Sequence, residues 1–203
     1  MTVTGPRRGR PGHNLDSLLD VAVAAFNERG YEATSMEELA ARLGVTKSAI
    51  YHHVPSKVEL LRLAVDRALD ALFAVTREPG ATTGPAIDRL EHVVRGSVRV
   101  LAAELPFVTL LLRLRGNSAV EDTALQRRRE FDRIVTDLVR AAEAEGDVRP
   151  DVDPAVTSRL LFGAVNSLTE WYRPGGGLTP DDLADALVAT TFTGLRARPG
   201  AGR

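Results

Sequence analysis

From Leu15 onward, apolar residues recur every three or four positions along most of the chain, the mark of amphipathic helices. Leu15, Leu18, Leu19, Ala22 and Phe26 form the first such stripe, behind Asn14, a residue suited to cap a helix N-terminus. Arg29 followed by Gly30 reads as a stop, with Gly30 fitted to the left-handed position after the last turn. Ser35 and Glu38 have capping-box spacing and open a second helix with Met36, Leu39, Ala40 and Leu43 inward, broken at Gly44. Thr46 is placed to cap a third helix. It includes Ile50 and ends near His53, because Pro55 disfavours helical geometry at Val54. Ser56 and Glu59 repeat the capping pattern and start a long fourth helix with Val58, Leu61, Val65 and Leu72 inward.

The stretch REPGATTGP, residues 77–85, interrupts the pattern and is a candidate domain boundary. Longer helices follow: residues 87–103, a second from near Pro106 through Leu114, and a third over 120–145 with Phe131, Ile134, Leu138 and Ala142 on one stripe. Asp153 with Pro154, and Thr179 with Pro180, open the last two. The pattern predicts an all-α fold of about nine helices, three short and the rest mostly long.

Composition narrows the chemistry. The chain of 203 residues is 44% hydrophobic and has no cysteine, which excludes disulfides and thiolate metal sites. No apolar run reaches the roughly 18 residues that span a membrane. The N-terminus has arginines but no apolar core of a secretory signal, so the expected compartment is the cytoplasm, with no membrane partner. The net charge of -1 hides an uneven distribution. Residues 1–15 carry Arg7, Arg8 and Arg10 with no acid; no acid lies between Glu38 and Glu59, where Arg42, Lys47 and Lys57 sit. Two basic, acid-free segments on a balanced protein suit a local anionic partner.

The second and third helices meet the needs of a helix-turn-helix: a small residue at the crossing (Ala40), a glycine in the turn (Gly44) and an apolar residue facing back (Ile50). With Val45 and Ile50 inward, helical geometry turns Lys47, Ser48, Tyr51 and His52 outward, and all four can hydrogen-bond. Such a short element needs only to enter a DNA major groove while its neighbours hold it.

The segment GYEATSMEELAARLGVTKSAIYHHVPSKVELL, residues 30–61, resembles the DNA-binding part of the TetR family of regulators. The likeness rests on GY and TS before the second helix, GVTKSAIYHH across the turn and third helix, and SK opening the fourth. It implies an all-helical homodimer that binds a palindromic double-stranded operator and is released by a small-molecule effector. On this reading Lys47, Ser48 and His52 contact bases, and Thr34, Ser35, Tyr51, His53 and Lys57 contact phosphates. Arg8-Gly9-Arg10-Pro11 resembles the core of an AT-hook, adding Arg8 and Arg10 as minor-groove contacts. The implied organisation is a flexible basic arm (1–13), a helix-turn-helix DNA-binding domain (14–57), a ligand-binding and dimerisation domain (58–197) and a disordered tail (198–203).

A helix as short as the third needs symmetric doubling for specificity. The last two helices are the dimer candidates, through Leu160, Ala164, Leu168, Leu183 and Leu187; the competing reading makes these stripes ordinary core. For the effector, LPFVTLLLRLRGN (105–117) is apolar apart from Arg113 and Arg115, with the arginine run 127–129 expected nearby. An apolar helix with arginines at one end suits an acyl tail with an anionic head. The EWYRPGG junction, 170–176, is similar to that of acyl-CoA-responsive members of the family. The candidate ligand residues are Phe107, Leu111, Arg113, Arg115, Phe131, Asn166 and Trp171. The alternative effector is an uncharged hydrophobic drug or antibiotic, for which Phe107, Phe131 and Trp171 would matter more.

Catalysis finds no support, since there is no glycine-rich phosphate loop, no G-x-S-x-G and no H-E-x-x-H. No cofactor is expected. Nor is a metal, because the adjacent His52 and His53 point apart by about 100° on a helix.

Overall fold

The computed structural model describes residues 14–194. Among them there is no strand, and ten α-helices follow in order: α1 (Leu15–Arg29), α2 (Met36–Leu43), α3 (Lys47–Tyr51), α4 (Lys57–Val75), α5 (Pro79–Thr82), α6 (Ala86–Ala103), α7 (Leu105–Arg113), α8 (Ala119–Glu145), α9 (Pro154–Trp171) and α10 (Pro180–Val188). A short π-helical segment, Ala189–Thr193, continues α10. None of the described helices is long and apolar enough to cross a membrane.

Local chemistry sets the helix starts. Asn14, Ser35, Thr46, Ser118, Asp153 and Thr179 each accept a hydrogen bond from the backbone N–H three residues on, satisfying a donor that the first turn leaves unpaired. Ser56 does the same for Glu59 at 3.1 Å, while the Glu59 carboxylate accepts from Arg62. Gly44 ends α2 in the left-handed conformation (φ 67°, ψ 32°). Gly30 also has positive φ, but with ψ 150° it leads into an extended segment rather than the left-handed well expected there.

The chain forms two compact units, one ending at Ala64 and the other beginning at Val65, so the division falls inside α4. Residues 77–85 lie within the second unit and are not its edge. Their one-turn helix α5 is the element that hydrophobic spacing did not predict: Ala81 is buried, and Arg89 of α6 donates to the Ala81 carbonyl at 3.0 Å.

In the first unit α2 packs on α1 and on α3. Leu18, Ala22, Val23 and Phe26 of α1 are buried, as are Leu39 of α2, Ile50 of α3 and Leu61 of α4. Val58, expected inward, is exposed, because Leu60 and Leu61 take the inward positions of that turn.

In the second unit α6 is the central helix, packing against α5, α8, α9 and α10. Phe131 of α8 sits at its heart, edge-on to Phe73 (centroids 5.9 Å apart) and to Phe162 (5.1 Å). Gly96 lets α6 lie close to the end of α4: a Cβ there would fall 2.3 Å from Val75 Cγ1. Ion pairs brace the periphery, from Arg127 to Asp66 (2.9 Å) and Asp70 (2.6 Å), and from Arg99 to Asp181 (2.7 Å). One buried acid, Glu121, closes the turn between α7 and α8. Its Oε2 accepts from the backbone N–H groups of Arg115 (2.9 Å), Gly116 (3.0 Å) and Asn117 (3.2 Å).

Candidate functional site

The turn between α2 and α3 is built as the helix-turn-helix spacing requires. The Gly44 N–H bonds to the carbonyls of Ala40 and Ala41, and the Val45 N–H bonds to Ala40 at 3.0 Å. Thr46 caps α3 at the Ala49 N–H (3.2 Å), and Ile50 is 1% exposed against the core. With that face buried, Lys47, Ser48, Tyr51, His52 and His53 all lie exposed, as does Ser35, the cap of α2.

Sequence reasoning missed one charge. The acid-free stretch between Glu38 and Glu59 is not acid-free in space, since Glu37 in the first turn of α2 reaches the Lys47 ammonium in a close ion pair. Their mutual hydrogen bond holds the Glu37 carboxyl below its ordinary range and lifts the Lys47 ammonium above its own. The Lys47 nitrogen also lies 5.9 Å from the Tyr51 ring centroid.

Two expected phosphate contacts are corrected. Thr34 is 1% exposed, and its hydroxyl donates to the carbonyls of Gly30 (2.9 Å) and Ala25 (3.4 Å). Lys57 donates to the carbonyls of Tyr31 (2.9 Å), Thr34 (3.0 Å) and Glu32 (3.4 Å), its nitrogen 4.3 Å from the Tyr31 ring centroid. Both residues therefore fasten the turn between α1 and α2, a hydroxyl and an ammonium bonding carbonyls at the end of α1 and along the turn. Arg8 and Arg10 lie outside the described residues.

The second unit contains a mostly apolar cavity of about 570 Å³, counted to its open mouth, between α4, α6, α7, α8 and α9. Leu111, Phe131 and Asn166 line it, as expected. Phe107 is buried but elsewhere, its ring centroid 4.2 Å from the Arg67 guanidinium. Arg113, Arg115 and Trp171 are exposed and do not line the cavity: Arg113 ends α7 on its outer side, and Arg115 lies in the turn that follows. The guanidinium on the wall is Arg128, the middle residue of the run 127–129.

Arg128 is half-buried. Its one hydrogen bond among the described residues is a 3.5 Å contact to the Leu111 carbonyl, and none of their carboxylates is within ion-pair distance. Burial lowers its pKa, an effect that nearby Asp132 opposes. Asp132 itself is exposed, yet desolvation by the protein around it raises its carboxyl above the ordinary range despite the pull of Arg128 and Arg159. The cavity thus offers an apolar volume and one under-satisfied cation, an arrangement suited to an acidic hydrophobic molecule.

The expected dimer residues divide. Leu160 is 70% exposed, and Ala164 and Leu187 are half-buried. Leu168 and Leu183 are buried within their own chain and are corrected to core positions. The outward stripe of α9 runs instead through Val156, Leu160, Gly163 and Trp171.

Comparison with known proteins accords with this geometry. Residues 18–64 match the family model for bacterial regulatory proteins of the tetR family, and residues 83–195 match the tetracyclin repressor-like C-terminal domain. The crystal structure of a TetR transcriptional regulator from Streptomyces coelicolor A3 is 52% identical, with a TM-score of 0.85 over 93% of this chain and 94% of that one. The HTH-type transcriptional repressor KstR2 of Mycobacterium tuberculosis is 28% identical over 194 residues, covering 92% of this chain and 95% of the relative. AibR, solved with isovaleryl coenzyme A and operator DNA, is 25% identical with a TM-score of 0.75, over 89% of this chain and 98% of that one.

Proposed function

This chain belongs to the TetR family of bacterial regulatory proteins, and we propose that it is a ligand-responsive repressor, released from a two-fold symmetric operator by an acidic hydrophobic effector of the acyl-coenzyme A class. On this reading Lys47, Ser48 and His52 meet base edges while Ser35, Tyr51 and His53 meet phosphates. The outward stripe of α9, with α10, pairs two copies, so that two α3 helices enter successive major grooves about 34–36 Å apart.

The observation that carries the effector class is Arg128, a half-buried guanidinium on an apolar wall with no carboxylate partner among the described residues. An uncharged ligand would leave that cation as it is; an acidic one would complete its hydrogen bonding. The binding of isovaleryl coenzyme A by AibR supports the same class. Effector binding changes DNA affinity only by the difference in effector affinity between the two states. Helix α4, which supplies Ala68 and Leu72 to the cavity wall, is where we place that coupling.

The test pairs thermal shift with operator release for a panel of acyl-coenzyme A thioesters, their free acids and uncharged hydrophobic drugs. Acidic acyl ligands should raise the unfolding temperature and release DNA. Release by uncharged compounds alone would overturn the effector class, and an operator affinity that no bound ligand alters would overturn the ligand response.

A further inference from the structure

Beside the cavity, between α8 and α9, runs a second depression of about 920 Å³, counted to its open mouth. It is lined by Arg129, Arg133 and Arg140 of α8 and by Arg159 of α9, against Asp132 and Asp137. The three α8 arginines stand at i, i+4 and i+11, on one face and over about 16 Å of helix. Arg140 is engaged by Asp137 at 2.5 Å. Arg129, Arg133 and Arg159 are exposed and have no ion-pair partner among the described residues. Ser158 of α9, 3% exposed as a whole residue, also lines the groove. Three exposed guanidinium groups outside ion-pair distance of any carboxylate among the described residues, gathered along one groove, have the chemistry of an anion site.

Asp132 lines both this groove and the apolar cavity, so the two adjoin. We propose that the arginine groove seats the phosphate groups of the effector while its acyl end enters the cavity, with Arg129, Arg133 and Arg159 as the phosphate ligands. This rests on the acidic-effector reading and sharpens it. A free fatty or aromatic acid would fill only the cavity, whereas a thioester on a phosphorylated carrier would fill both. Guanidinium groups match phosphate oxygens bidentately, and three of them along a groove suit a carrier with several phosphates. Asp132 then marks the junction, where its charge disfavours a carboxylate and tolerates a neutral thioester.

The experiment is isothermal titration of the full chain with octanoyl-coenzyme A, coenzyme A and octanoate. The wild type is compared with an Arg133→Gln/Arg159→Gln double variant and with Leu111→Trp, which fills the cavity. Both arginines are exposed, so the double variant should fold, and circular dichroism checks that it does. The double variant should lose about 10-fold or more in affinity for octanoyl-coenzyme A and for coenzyme A, with octanoate binding within about 2-fold of wild type. Leu111→Trp should weaken both acyl ligands and spare coenzyme A. Unchanged octanoyl-coenzyme A affinity in the double variant, or equal loss of all three ligands, overturns the groove assignment and leaves the acidic-effector reading standing. If neither acyl ligand binds wild type, that reading falls and the groove assignment falls with it.

Discussion

Replacing Thr34 by valine separates two roles for a residue that sequence likeness assigns to DNA and the structure assigns to the fold. Valine keeps the shape and removes the hydroxyl, which bonds the Gly30 carbonyl at 2.9 Å and the Ala25 carbonyl at 3.4 Å. The side chain is 1% exposed, so water does not replace the lost donor. The shorter bond contributes about 1 kcal/mol net, and the Gly30 oxygen left without it raises the cost to about 1–2 kcal/mol. For a chain of this size that is a fall of about 2–8 °C in unfolding temperature. The assay is thermal and urea unfolding of the variant, paired with gel-shift titration on an operator selected from random DNA, at a temperature where both proteins are folded. Stability should drop by that amount while operator affinity stays within about 2-fold, the scatter of a residue that does not touch DNA. An unchanged unfolding temperature with a marked loss of operator affinity would refute the reasoning and return the hydroxyl to a phosphate.

Other outcomes follow from the same geometry. Glu37→Gln should tighten operator binding by about 2–5-fold, the scale of one exposed ion pair, by freeing the Lys47 ammonium. Lys47→Ala should weaken binding by about 10-fold and relax discrimination at one base pair; equal losses on every sequence would make Lys47 a phosphate contact instead. Asp132→Asn should raise the unfolding temperature at pH 7, since burial lifts the folded-state carboxyl above its unfolded value and the charged form is the disfavoured one. That gain should appear as pH rises through the carboxylate range and vanish below it; a gain that is constant with pH would exclude titration of this group. Leu160→Glu places a charge on the outward stripe of α9 and should give a monomer by gel filtration with operator affinity down by about 10-fold or more; an intact dimer would put the interface elsewhere.

What the sequence could announce was whatever neighbouring residues decide. Caps at Asn14, Ser35, Thr46, Asp153 and Thr179 depend on a side chain and a backbone three residues away, and each stands where it was expected. The outward face of α3 was legible for the same reason, fixed once Ile50 points in. Helix α5 was not legible, because one turn of Pro-Gly-Ala-Thr has no period to detect. Thr34 and Lys57 were misplaced because their partners lie up to 26 residues away along the chain, and nothing local says that an ammonium will turn inward. Arg113 and Arg115 looked like the natural head-group ligands by proximity in sequence, yet which arginine faces the cavity depends on the rotation of α8 against α7. A stripe of leucines, likewise, shows that α9 has a packed face without saying which side of it is covered by its own chain.

The Glu121 clasp bears on how a ligand reaches its chamber. To pass between α7 and α8 it would have to strip three backbone N–H groups from one carboxylate oxygen, at a combined cost of about 5 kcal/mol. That gap would then stand ajar in only about one molecule in several thousand. The clasp makes this seam a wall, and traffic in and out must use a doorway elsewhere in the second unit.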